Sequence, residues 1–387
     1  MLLLLVHIGI NNHNIMFDFI IFEHSGIRNH FADLCTIGRL LRDCGYKVAI
    51  VNVTNESEEC KSVNLPVLYP KAKRESFRNK TAYMKAIINE FSPMTQNMYA
   101  GSILSTTSLK WLKYVPKTQK VFLWALRSFF FTSHKRFYLS RYYPVDFVRS
   151  LYNTYITKRQ KNIRFFVSNT IIRDEFVNLG YDYWRIVIRE ERTASQLCEP
   201  KTYHNNPLSL LSIGTLREEK RVDLCIDALE EIADHGIHFT IAGKAYKTHG
   251  YDVMLENRSR SPFVTRISSR LSDAKYNQLI DSCDYLVLCD EMQPSCVTNG
   301  TMAEALLAGK PIIAPNYNPY KFIVEKYSVG LLYDLHDKES FIEVIKRAKA
   351  LSPSSFSSGI IQYQNDFLYE NVLLRFAANI KETLSKH

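Results

Sequence analysis

No two of the eight cysteines stand two residues apart, and no cysteine–histidine group has the spacing of a zinc site. Low-complexity tracts and internal repeats are missing too, as is any apolar run near the roughly 20 residues that cross a bilayer. A zinc module, a repeat array and a membrane-spanning protein are thereby set aside. Cys35, Cys44, Cys60, Cys198, Cys225, Cys283, Cys289 and Cys296 are scattered, several inside apolar runs, where a free thiol behaves as a small hydrophobe. That usage suits a reducing, cytoplasmic setting. The opening MLLLLVHIGINN has too short an apolar stretch for a signal peptide, and reads either as a first strand or as an extension ahead of Met16.

Acids are scarce in one region. Residues 61–166 hold 20 Lys and Arg against Glu75, Glu90 and Asp146, a net of +17, whereas the whole chain sums to +10. Within that region, residues 121–166 interleave Phe and Tyr with the cations. Such a face suits anionic lipid headgroups, an anionic glycan or nucleic acid. A solvated helix face backed by an aromatic core accounts for it equally well.

What is present is globular. The 387 residues are 46% hydrophobic and 23% charged, with 23 Tyr and 22 Phe, enough for two domains each with its own core. FDFIIF at 17–22 reads as a buried strand. A helix follows, with apolar residues at Phe31, Leu34, Ile37 and Leu41 and a stop at Gly45, and 47–53 is the next strand. This strand–helix–strand unit seeds a parallel sheet, with further strands at 97–104, 120–126 and 163–168. Residues 190–207 lose periodicity and mark a boundary. Beyond it, strands at 208–213, 237–243, 263–267, 285–289, 311–315 and 329–333 alternate with helices at 222–236, 272–283 and 338–351. Two doubly wound α/β domains are expected, 1–200 and 207–362, facing across a cleft, with a terminal helix near 364–387 packing back on the first. Ligands of open parallel sheets bind beyond the carboxyl ends of the strands.

Two clusters fall at such ends. In IGTLREEKRVD, 213–223, a strand stops at Gly214 and a loop carries Thr215, Arg217 and Lys220 to a helix start, a place for phosphate oxygens unless Glu218 and Glu219 merely neutralise the cations. In PSCVTNGTMAE, 294–304, Ser295, Thr298, Asn299, Gly300 and Thr301 allow backbone amides to approach an anion at a helix N-terminus. Glu304, one turn further, can accept from a ribose diol, or be a surface acid.

Taken in order, SIGTLREEKRVDLCIDAL, FTIAGKA, SDAKYNQLIDSCDYLVL and NGTMAEALLAGKPIIAPNYNPYKFIVEKYSVGLLYD resemble the retaining glycosyltransferases of the GT-B fold, most closely glycosyltransferase family 4. The resemblance covers residues 208–335 by motif and the N-terminal half by architecture. It implies two Rossmann-like domains and transfer of a sugar from a nucleotide-diphosphate-sugar to a glycan or lipid-linked acceptor, with retention, in cell-surface polysaccharide or lipopolysaccharide synthesis. It places Glu304 on the donor ribose and Lys220 on the diphosphate, with Arg217 beside it. Gly214, Thr215, Gly243 and Arg266 join the donor-binding set, and Ser25 and Gly26, flanked by His24 as a catalytic candidate, form the acceptor-side loop. No cofactor and no metal are implied, since the chain has no Asp-x-Asp. The partners implied are the donor, the acceptor and an anionic membrane surface touched peripherally from the cytoplasm, with nucleic acid ranked last.

The chain departs from the family pattern at three places, one of them near 190–192, where the Asn-Gly-hydrophobic-Asp segment typical of the interdomain hinge is missing. Thr215 stands where an Arg is usual, and Cys296 stands where the family has the acid that contacts the transferred sugar, leaving Asp290, Glu291 or Ser295 as substitutes. These departures support a second expectation, a catalytically degenerate nucleotide-sugar-binding protein. A nucleotide-sugar epimerase shares the fold but calls for a denser set of acids and histidines.

Overall fold

The computed structural model describes residues 16–22, 31–51, 64–73, 76–103, 109–125, 145–190, 192–245, 250–291 and 299–386. The chain divides into two units, Met1–Arg189 together with Arg375–His387, and Glu190–Leu374.

The first unit runs β1 (Phe17–Phe22), α1 (Phe31–Asp43), β2 (Val48–Val51), β3 (Val67–Leu68), α2 (Lys80–Phe91), β4 (Thr95–Ile103), β5 (Lys120–Ala125), α3 (Val145–Arg159), β6 (Ile163–Val167), α4 (Thr170–Asn178) and β7 (Ile186–Ile188). Its seven strands pair in parallel in the order β3-β2-β1-β4-β5-β6-β7. Both faces of such a sheet are covered, which is why β1, β5 and β6 are near-continuous apolar runs. Leu34, Ile37, Leu40 and Leu41 bury one stripe of α1, and Gly45 at φ +90 ends that helix as only glycine does without strain. The residues from Arg375 onward complete this unit, Phe376 stacking on Phe166 with ring centroids 5.8 Å apart.

Arg164 of the basic stretch proves structural, as does Arg185 beyond it: the two are 0% and 1% exposed. Arg185 donates to the carbonyls of Thr157, Gln160 and Ile163 at 2.6, 3.0 and 2.9 Å, and Arg164 to those of Lys161 and Lys386 at 2.5 and 3.0 Å. These arginines satisfy carbonyls at and just beyond helix C-termini, where cations are favoured. Burial pulls the Arg164 guanidinium down to about 10.

The second unit runs β8 (Leu208–Ile213), α5 (Val222–Ile232), β9 (Ile237–Ala242), α6 (Tyr251–Arg258), β10 (Val264–Ile267), α7 (Asp273–Ser282), β11 (Tyr285–Val287), α8 (Gly300–Leu307), β12 (Ile312–Pro315), α9 (Tyr320–Tyr327), β13 (Gly330–Tyr333), α10 (Lys338–Ala350) and α11 (Ser357–Asp366). Helix α12 (Tyr369–Ser385) follows. The strand order β10-β9-β8-β11-β12-β13, all parallel, reverses direction between β8 and β11. At that reversal the following loops diverge and open a crevice. The opposite edge is closed by Asp284, 0% exposed, which accepts from the amides of Asn205 and Ser209 and pairs with Lys201 at 2.9 Å. It anchors the stretch leading into β8.

Candidate functional site

The loops after β8 and β11 carry the candidate residues, and glycine is required where β8 ends. Gly214 and Gly243 have φ of +115 and +133, and a Cβ on Gly243 would lie 1.9 Å from the Gly214 carbonyl oxygen. The two backbones therefore touch, and the Leu216 amide continues the ladder by donating to the Lys244 carbonyl at 3.1 Å. A Cβ on Gly214 would stand 3.8 Å from the Thr301 hydroxyl, so the end of β8 lies against the first turn of α8.

After Gly214 the chain makes a 3₁₀ turn, Glu218–Lys220, and enters α5 through Arg221 in the left-handed conformation. Lys220 leaves this turn to pair with Asp290 Oδ1 at 2.6 Å. The other oxygen, Oδ2, accepts from the Tyr320 hydroxyl at 2.6 Å and from the Asn299 side-chain amide at 3.0 Å. Asn299 is also the N-cap of α8, its Oδ1 accepting from the Met302 amide at 3.1 Å. Asp290 thus joins the β8 loop to the start of α8. Burial and the neighbouring carboxylate raise the Tyr320 phenol well above its ordinary value, so it stays a proton donor.

One turn into α8, Glu304 uses both oxygens. Oε1 pairs with Arg192 at 2.9 Å and Oε2 accepts from the Tyr276 hydroxyl at 2.5 Å. Burial, then Glu304 itself, raise the Tyr276 phenol. A Cβ on Gly300 would lie 3.6 Å from the Arg192 guanidinium, which brings a cation to the N-terminal turn of the helix. Glu304 remains about a third exposed, accessible to a ligand hydroxyl.

Comparison with known proteins bears on this unit. Residues 199–358 match the family of glycosyl transferases, group 1. Over those residues the chain is similar to the group 1 glycosyl transferases. The match spans every strand of the second sheet, the Lys220 loop and α8. Among solved structures, the Anabaena protein Alr3699/HepE in complex with UDP superposes with a TM-score of 0.66 at 14% identity, over 95% of this chain and 99% of that one. A glycosyltransferase from Rickettsia africae gives 0.66 at 12% identity, over 97% and 100%. The lipopolysaccharide outer core galactosyltransferase WaaB, in its apo form, gives 0.63 at 14%, over 94% and 99%. At such identities the likeness speaks for the fold, the two-domain α/β GT-B arrangement, and covers nearly the whole chain. No curated protein matches.

Within the matched residues, the predicted residues Gly214, Thr215, Lys220, Asn299, Gly300, Thr301 and Glu304 fall on the loops after β8 and β11 and the start of α8. Arg217 is half exposed and pairs with Glu219 at 3.1 Å, the neutralisation that its neighbours in sequence suggested. Arg266 turns elsewhere: its guanidinium donates to Glu256 and to the Asp252 carbonyl, both at 3.0 Å, and ties β10 to α6. Asp290, proposed as a substitute acid for the sugar, is held by Lys220, Asn299 and Tyr320. His24, Ser25, Gly26, Ser295, Cys296 and Thr298 lie outside the described residues.

Sequence reasoning missed Arg192, Tyr276 and Tyr320. Arg192 sits in the aperiodic stretch read only as a boundary, and no local pattern marks it. The Tyr276 and Tyr320 hydroxyls reach the site from α7 and from the start of α9, at separations that no spacing rule connects to Glu304 or Asp290.

Proposed function

We propose that the chain transfers a sugar from a nucleotide-diphosphate-sugar to a hydroxyl of a glycan or lipid-linked acceptor, with retention at the anomeric carbon, in assembly of a cell-surface polysaccharide or lipopolysaccharide. The observation that carries this reading is the bridge Lys220–Asp290–Asn299, which brings a cationic loop and a helix N-terminus to one strand-order reversal. A diphosphate at that place meets the Lys220 ammonium, the first amides of α8 and Arg192 near Gly300, donors that stabilise charge growing on the leaving phosphate. Glu304, one turn on, receives the ribose hydroxyls. The UDP complex of the structurally similar Anabaena protein supports a nucleotide ligand of this kind. The reading needs no metal to carry the diphosphate.

A catalytically silent nucleotide-sugar-binding protein is the second reading. It is favoured by one feature: Lys220 and Glu304 are both already engaged by neighbours, at 2.6 Å and at 2.9 and 2.5 Å. One experiment separates the two. Thermal shift with UDP, GDP and their sugars identifies the ligand, and donor turnover with that ligand follows. Stabilisation with turnover supports transfer, stabilisation without it supports the silent form, and no stabilisation by any nucleotide removes both.

A further inference from the structure

Two unlike donors hold Glu304. The Tyr276 hydroxyl donates to Oε2 at 2.5 Å from a half-buried ring on α7. Its phenol, raised by burial and then by Glu304, stays a neutral donor. Arg192 is different in kind, a full charge on a long side chain, with Nε 2.9 Å from Oε1. The two side chains of that ion pair are 43% and 32% exposed. A pair so accessible to water adds little to stability, so the needs of the fold do not account for it. The same guanidinium lies beside the first turn of α8: a Cβ on Gly300 would stand 3.6 Å from Nη2 and 4.0 Å from Nε. Arg192, Tyr276, Gly300 and Glu304 all belong to the second unit. One cation therefore stands between the acceptor for a ribose and the turn where a diphosphate is placed above.

We propose that Arg192 is a specificity-determining residue that makes ribose recognition conditional on phosphate. Without phosphate it neutralises Glu304; a diphosphate draws the guanidinium to itself and releases Oε1 to the ribose hydroxyls. This role rests on the nucleotide-diphosphate reading above and adds a rule to it, the rejection of nucleosides. Charge decides the exchange. A diphosphate offers the planar guanidinium more negative charge than one carboxylate does, with oxygens spaced for two parallel N–H bonds. Glu304 is not left bare, since Tyr276 still donates to Oε2 while the ribose donates to Oε1. A nucleoside brings the same hydroxyls but no anion. It must compete with Arg192 for a carboxylate whose charge is already answered. Displacing one part-exposed ion pair lowers its affinity by about fivefold. By linkage, pyrophosphate and a nucleoside then favour each other's binding by that same factor.

Titration of the full chain with uridine, UDP and pyrophosphate, and in parallel with guanosine and GDP, tests the exchange. Saturating pyrophosphate should tighten binding of the matching nucleoside by about fivefold in the unaltered chain. That measurement needs no variant and holds even where a variant folds poorly. Arg192→Met, which keeps the stem and removes the charge, should bind the nucleoside about fivefold more tightly and its diphosphate about tenfold or more weakly. Pyrophosphate should then leave nucleoside affinity unchanged. Tyr276→Phe, by contrast, should weaken nucleoside and diphosphate by one common factor and keep the pyrophosphate effect. The sign on the nucleoside is decisive. Unchanged nucleoside affinity in Arg192→Met makes Arg192 a phosphate contact alone, and weaker affinity makes it a support for Glu304; either result overturns the proposal. If a diphosphate binds and pyrophosphate leaves the nucleoside unaffected in the unaltered chain, the exchange falls and the nucleotide reading stands. If neither UDP nor GDP binds, both fall together.

Discussion

Lys220 Nζ lies 2.6 Å from Asp290 Oδ1, in a pair whose side chains are 23% and 10% exposed. The cation best placed for a diphosphate is thus already held by a carboxylate of its own unit. A bound diphosphate must share or displace that contact. Asp290→Asn keeps an acceptor for Tyr320 and Asn299 but releases the ammonium from a charge. Its affinity for UDP should rise, about three- to tenfold, since one charge pair at a part-exposed site is worth roughly 1 kcal/mol. Lys220→Met should lower donor turnover by about 10²–10³, the usual loss on removing one stabilising donor. Titration calorimetry with UDP and initial rates with the donor check both; weaker UDP binding by Asp290→Asn would make Asp290 a ligand contact and not a competitor.

Glu304 presents a charged acceptor to any ribose that binds, while Arg192 and Tyr276 hold its orientation. Glu304→Ala should weaken UDP by about 10- to 100-fold, the worth of hydrogen bonds to a charged group. Glu304→Gln, which keeps one acceptor, should lose less. Since the side chain is about a third exposed, the melting temperature should barely move. If the melting temperature drops and UDP binding holds, Glu304 is a structural partner of Arg192 and nothing more.

Much of this was legible in the residues. The strands of the second sheet and the Ser272 cap of α7 follow from periodicity and capping chemistry, because a parallel strand buried on both faces is an unbroken apolar run. Lys220 and Glu304 were legible as members of a motif. Their partners were not: Asp290 lies 70 residues from Lys220 and Arg192 lies 112 from Glu304, and no local rule links such positions. Arg266 shows the converse failure, since a cation beside a strand end carries no mark of which neighbour it will choose. Helix α3 defeats pattern reading altogether. Apolar residues at helical spacing are ordinarily read as the core side, and here Val148, Leu151 and Tyr155 at that spacing face outward.

Gly243→Ala tests the backbone contact beneath the site. Its φ of +133 is closed to side chains without strain, and the added methyl would meet the Gly214 carbonyl oxygen at 1.9 Å. A stability loss of about 2–4 kcal/mol is expected, read from urea unfolding, together with loss of the UDP-induced thermal shift. Gly250, whose Cβ would meet nothing within 4 Å, is the control. Gly250→Ala pays only for its φ of +74, about 1–2 kcal/mol, and should keep nucleotide binding.

Thiol labelling tests the buried core of the second sheet. Burial pushes Cys283 up to about 12 and raises Cys225 and Cys289 as well, whereas Cys198 is exposed. At pH 8 a thiol at 12 is ionised in roughly one molecule in 10⁴, and the thiolate is the reactive form. Iodoacetamide followed by peptide mass spectrometry should therefore mark Cys198 within minutes and leave Cys225, Cys283 and Cys289 unmarked until denaturant is added. Prompt labelling of Cys289 in the native protein would mean that β11 opens next to Asp290, which would loosen the grip on Lys220 from which the nucleotide prediction starts.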